Sequence, residues 1–196
     1  MTAAVQINPQ AALQQLKEGN RRFASAALKH PNQDETTRLR LVKGQSPVAI
    51  ILGCSDSRIS PEILFDQGLG DLFVVRAAGN PACDVALWSA EYAVAHLGVP
   101  LLVVLGHSGC GALTAAVENT ICGQPASGLL ALLEPAVRQA QQQCGDLLEN
   151  TITCEARQAA HQLAHSGDVL PAAVQAGKLV IQPAVYHQTS GLVEWL

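Results

Sequence analysis

The chain is poor in charge and in aromatic rings. Of its 196 residues only 14% are Asp, Glu, Lys or Arg and 4% are Phe, Trp or Tyr, against roughly 25% charged in an average soluble chain. Twelve basic and sixteen acidic side chains leave a formal charge of -4. With no positive surplus to neutralise phosphates, a nucleic-acid backbone is not an expected partner. Long apolar runs are missing too. Val85 to Gly106 is interrupted by Glu91, His96 and Gly98-Val99-Pro100, so it reads as helix, turn and strand and not as a membrane span. Met1 to Gly19 lacks a basic segment followed by an apolar one, so no secretory signal is read there. The expected compartment is the cytoplasm, free or within a protein microcompartment. None of the six cysteines stands in C-x-x-C spacing, and in a reducing compartment a Cys/His set points to metal binding or catalysis before disulfides.

Apolar side chains are plentiful, at 48%. The chain is long enough for one domain with a substantial core, and its excess of apolar over charged surface predicts burial against another copy of itself. Pro9 to Leu28 carries apolar residues at helical spacing after a possible N-cap, Asn8, and predicts an amphipathic helix broken or bent near Gly19-Asn20. That helix is expected to lie across a partner subunit. His30 to Arg40 has no apolar period and reads as a connector. Val48 to Gly53 is a continuous apolar run of the kind found in strands buried on both faces. Similar runs follow at Leu72–Val75, Leu101–Leu105 and Leu179–Val185. Helical patterns lie between them at Pro61–Phe65, Val85–Leu97, Ala112–Glu118, Leu129–His165 and Leu170–Ala176. The alternation predicts an α/β fold with a central, mostly parallel sheet flanked by helices. Residues 1–44 read as an N-terminal helical arm and connector, and 45–196 as the α/β unit. There is no internal repeat.

In such sheets function gathers at the carboxyl ends of strands. Two strands here end in loaded turns, Gly53-Cys54-Ser55-Asp56-Ser57-Arg58 and Gly106-His107-Ser108-Gly109-Cys110-Gly111. Side by side, they would bring Cys54, His107 and Cys110 together. Two thiolates and an imidazole suit Zn²⁺, and three protein ligands leave one tetrahedral position for water. Asp56 and Arg58 can form a bidentate pair at the mouth, holding the carboxylate to accept a hydrogen bond from that water. Two other chemistries fail. Gly106 to Cys110 nearly spells a G-x-S-x-G nucleophile elbow, but ends in Cys. Cys54 to Arg58 is too short to cradle a phosphate. The remaining cysteines, Cys83, Cys122, Cys144 and Cys154, read as buried structural thiols.

With C-S-D-S-R at Cys54–Arg58 and G-H-S-G-C-G at Gly106–Gly111, the chain resembles the β-class carbonic anhydrases. Gly19 to Phe23, Lys43 to Pro47, Asp71 to Asn80 and Glu91 to Val94 fall in family order. The likeness is strongest from Gln45 to Ala115. It implies a zinc lyase with one zinc per chain on Cys54, His107 and Cys110, and Asp56 with Arg58 as catalytic dyad. Substrate contacts are implied from Gln45, Phe73, Ala78, Tyr92 and the Gly111 amide, partly across a subunit boundary. The activity implied is reversible hydration of CO₂ to bicarbonate and a proton by zinc-bound hydroxide, in a homodimer or higher even-numbered oligomer. A formally neutral site acidifies its water less than three histidines do, so hydroxide should accumulate on the alkaline side. Linear CS₂ or COS would fit the same chemistry. A non-catalytic zinc-stabilised assembly subunit would be marked by loss of a ligand, Asp56 or Arg58, and all are present. Ile51 stands where some family members carry a Trp of an inhibitory bicarbonate site. That substitution predicts an open site without this regulation.

Overall fold

The computed structural model describes residues 8–196; the first seven residues of the expected arm, 1–44, lie outside the described residues. The chain runs α1 (Pro9–Ala24), α2 (Glu35–Leu41), β1 (Ala49–Gly53), α3 (Pro61–Leu64), β2 (Leu72–Arg76), α4 (Asp84–Leu97), β3 (Leu101–His107), α5 (Gly111–Ile121), α6 (Leu129–Ala140), α7 (Leu147–His165), α8 (Val169–Gln175), β4 (Val180–Tyr186) and β5 (Val193–Trp195). The strands form one sheet in the order β2-β1-β3-β4-β5. Every neighbouring pair is parallel except β4 with β5.

Strand residues alternate between two apolar layers, as the pleat requires. Ile50, Leu52, Leu102 and Val104 face α4, α7 and α8, through Ala86, Ala90, Ala156, Leu163 and Leu170. Ala49, Ile51, Leu101 and Val103 face the other way, onto Ala12 and Leu16 of α1, Leu64 and Phe65. All five residues of β1 and all seven of β3 are buried, which is why both read as unbroken apolar runs.

Three expectations are corrected. First, α1 is unbroken through Gly19-Asn20 and ends at Ala24, short of Leu28. A Cβ on Gly19 would stand 1.7 Å from the Phe65 carbonyl oxygen, so this glycine permits close approach of helix and loop and marks no bend. Asn20 is buried with its carboxamide satisfied: Nδ2 donates to the carbonyls of Leu64 and Gly191, and Oδ1 accepts from the Val193 N–H. Ala12 and Leu16 are fully buried in their own chain, against its own sheet. Second, the connector at His30–Arg40 contains the start of α2, a helix capped by Asp34, whose carboxylate accepts from the Thr37 N–H at 2.7 Å. Third, β5 has no counterpart in the sequence reading. The stretch Leu129–His165 divides into α6 and α7. Among the described residues, no helix is long and apolar enough to cross a membrane.

Candidate active site

Cys54 follows β1, His107 ends β3, and Cys110 is the N-cap residue of α5. Because β1 and β3 are adjacent and parallel, with Gly53 opposite Leu105, both loaded turns leave the sheet at the same end. The Sγ atoms of Cys54 and Cys110 are 3.9 Å apart. One ligand atom from each of Cys54, His107 and Cys110 lies within 4.8 Å of the others, and all three residues are buried. Their surroundings are apolar, formed by Leu113, Val117, Leu133, Val137 and Ile152 from α5, α6 and α7.

This donor set fits zinc. His107 Nδ1 faces the Ser108 carbonyl at 3.1 Å, so its hydrogen is donated there and Nε2 is left with the lone pair. That Nε2 is buried with no hydrogen-bond partner among the described residues, a costly state for a polar atom and the expected one for a metal ligand. The neighbouring sulfurs share a proton: the Cys110 S–H holds Cys54 down to about 4, and Cys110 is correspondingly pushed up. A dication held by Cys54, His107 and Cys110 would take the place of that proton and let both sulfurs act as thiolates. Soft sulfurs with one imidazole suit Zn²⁺, and three protein donors leave a tetrahedral ion one open position.

Asp56 and Arg58 form the expected bidentate pair: Nε donates to Oδ1 at 3.0 Å, Nη2 donates to Oδ2 at 2.7 Å, and the Arg58 backbone N–H also donates to Oδ1. The carboxylate turns inward, its side chain 16% exposed, while the Arg58 side chain is 55% exposed at the mouth. Arg58 is the main reason the Asp56 carboxyl is held well below the usual carboxylate range. Arg58 also donates to the Gly109 carbonyl at 3.1 Å, tying the first turn to the second.

Two further residues brace Cys54, and no motif logic singled out either role. Arg76, at the end of β2, donates to the carbonyls of Cys54 and Asp56 at 2.9 and 2.6 Å. The Gly79 N–H points at Cys54 Sγ from 3.3 Å. Gly79 has φ +73°, and a Cβ there would meet Leu133 Cδ1 at 2.8 Å, so a side chain would be strained in this turn and would push on α6.

A carbonic anhydrase family model matches residues 49–193, which include both turns and all the candidate ligands. The chain belongs to the β-carbonic anhydrase family. It is 38% identical over 191 residues to a carbonic anhydrase of Mycolicibacterium smegmatis, covering 95% of this chain and 93% of that protein. It is 48% identical over 134 residues to carbonic anhydrase 2 of Mycobacterium tuberculosis, a match spanning 66% of this chain and 65% of the relative's length. The solved structure of the β-carbonic anhydrase CcaA superposes with a TM-score of 0.73 at 25% identity, over 93% of this chain and 94% of that one.

Of the pocket residues that the family likeness implied, this chain brings two to the turns that carry its own candidate ligands. Gly111 begins α5 directly after Cys110, and Ala78 precedes Gly79. Gln45, Phe73 and Tyr92 lie elsewhere. Gln45 precedes β1, at the end of the sheet away from Cys54, in a groove with Arg38, Leu41, Leu69 and Gly70. Phe73 pairs with Ile50, early in β1, and its ring stands 6.2 Å from that of Tyr92 on α4. Four of the other histidines make contacts of their own: His96 with Tyr92, His161 with His165, and His187 with Glu194.

The reading of the remaining cysteines as buried thiols is corrected. Cys154 alone is buried, accepting from Gln143 Nε2. Cys122 and Cys144 are exposed and Cys83 is half-buried. The exposed pair lies at or just beyond helix ends, where one side of the chain faces solvent.

Proposed function

We propose that this chain is a zinc-dependent carbonic anhydrase catalysing the reversible hydration of CO₂ to bicarbonate and a proton. The observation that carries the reading is the convergence of three buried ligand atoms, on Cys54, His107 and Cys110, beside the Asp56–Arg58 pair. Zinc bound there supplies Lewis-acid activation of a water molecule. The chain's own groups do the orienting. Ionised Asp56, clamped by Arg58, accepts a hydrogen bond from the reacting water and fixes the direction of its lone pair. The Gly111 N–H, in the first turn of α5 where no helix carbonyl takes it, donates to a substrate oxygen. Ala78 lines the apolar side.

Gln45, Phe73 and Tyr92 complete the pocket from a second copy. Their distance from their own chain's site supports this, as does the place of β2 at the edge of the sheet. Val85, Trp88 and Tyr92 also stand exposed on one face of α4. The assembly is a homodimer or a higher even-numbered oligomer. Its compartment is the cytoplasm, free or within a protein microcompartment, where the site thiols stay reduced. Stopped-flow CO₂ hydration with metal analysis on the same sample tests the reading. About one zinc per chain with rapid hydration is expected, and a zinc-loaded protein without hydration would overturn it.

A further inference from the structure

β3 lies between β1 and β4. Arg58 therefore grips the turn after His107 from the β1 side, and the chain leaving β4 reaches the same turn from the other. His107 pairs in register with Tyr186, which sets residues 186–188 beside Ser108. That short segment holds Ser108 by each of its polar groups. The Ser108 N–H donates to the Tyr186 carbonyl at 2.9 Å. The Gln188 N–H donates to Ser108 Oγ at 3.0 Å. The Gln188 side-chain amide donates to the Ser108 carbonyl oxygen, the same oxygen that takes the His107 Nδ1 hydrogen.

We infer that Gln188 is a positioning residue for His107. By fixing the Ser108 peptide plane, it holds the acceptor that orients the imidazole and sets its tautomer. This rests on the reading of Cys54, His107 and Cys110 as zinc ligands. A ligating histidine is directed by the partner of its other nitrogen, and loss of such a partner weakens metal binding about 10- to 100-fold. Gln188 acts one bond further out, through the carbonyl, so its effect belongs at the lower end. Its side-chain amide hydrogen-bonds to Ser108 and is not itself a proposed ligand, so its removal leaves all three donors in place.

The variant Gln188→Met keeps the chain length and the backbone bond to Ser108 Oγ and removes only the amide. Competition between the zinc-loaded protein and a soluble chelator should show zinc held about tenfold less tightly than in wild type. ¹⁵N spectra of the His107 ring, taken on metal-free protein, should lose the protected Nδ1–H signal while the melting temperature stays unchanged. Gln188→Glu sets a carboxylate against the carbonyl and should weaken zinc binding further. Wild-type zinc affinity and a wild-type ring spectrum in either variant would overturn the role of Gln188. Failure of the wild-type protein itself to bind zinc would instead sink the metal reading.

Discussion

Asp56 Oδ2 stands 4.0 Å from His107 Nε2 and 2.7 Å from Arg58 Nη2. One carboxylate oxygen is thus held between the nitrogen that faces the metal position and the guanidinium at the mouth. Asp56→Asn keeps the shape and the zinc ligands but loses the charge. It should retain about one zinc per chain while turnover falls on the order of 10²-fold, within the range of a lost general acid–base group. Zinc analysis beside stopped-flow hydration checks this, and unchanged turnover would remove Asp56 from the mechanism.

Replacing a ligand should behave differently. Cys54→Ala, His107→Ala and Cys110→Ala each leave two donors, too few to retain the ion, so metal and activity should disappear together. Full hydration by a metal-free Cys54→Ala protein would contradict the assignment.

The pH profile should carry no trace of Asp56. Its folded pKa is depressed, chiefly by Arg58, so its stabilising contribution is present above the ordinary carboxylate pKa and is lost only as pH falls through the folded value. Between about pH 6.5 and 9.5 it stays ionised. With Ile51 in place of a bicarbonate-site Trp, hydration should rise as a single ionisation above neutrality, with bicarbonate acting as product and simple competitor. A cooperative collapse at low pH, deepened by added bicarbonate, would count against this.

Glu155 on α7 is 3% exposed, and burial pushes its carboxyl up to about 8. The native state then keeps a proton that the unfolded chain loses, so stability falls as pH rises from the ordinary carboxylate pKa towards 8 and levels off above it. Glu155→Gln should therefore raise the melting temperature at pH 8 by on the order of 5 °C and leave it nearly unchanged at pH 5. Equal shifts at both values would show that the gain is not electrostatic.

Trp88 is 61% exposed between Val85 and Tyr92 on α4. If this face meets a second copy, Trp88→Glu buries an unpaired charge there and should shift light scattering towards monomer at micromolar concentration. Hydration should fall with it, because the pocket loses the partner's contribution. A fully active monomer would refute the shared pocket.

The two strands that matter most were legible because each is buried on both faces, which leaves a continuous apolar run ending in the candidate metal ligands. Their adjacency followed from parallel α/β logic, and Cys54, His107 and Cys110 do converge. What escaped was structure made by distant partners. Gly19 looks like a helix breaker until the Phe65 carbonyl against it is seen. β5 is three residues long and antiparallel, with too few positions to show a period. Gln188 bonds a residue 80 positions away and belongs to no motif. That Gln45, Phe73 and Tyr92 stand apart from the site of their own chain was implied by the family resemblance, which set the pocket partly across a subunit boundary, and by nothing in their local sequence.

The buried carboxamide of Asn20 sets an order of events during synthesis. Two of its three partners, at Gly191 and Val193, lie 171 and 173 positions along the chain, so α1 emerges from the ribosome long before they exist. Until those residues arrive, Asn20 has only the Leu64 carbonyl to pair with, and its Oδ1 and second Nδ2 hydrogen must stay hydrated or go unpaired inside the protein, which costs about 1–3 kcal/mol. The nascent chain therefore has reason to keep its first helix loosely docked, and the final clasp closes only when the last strand is laid down.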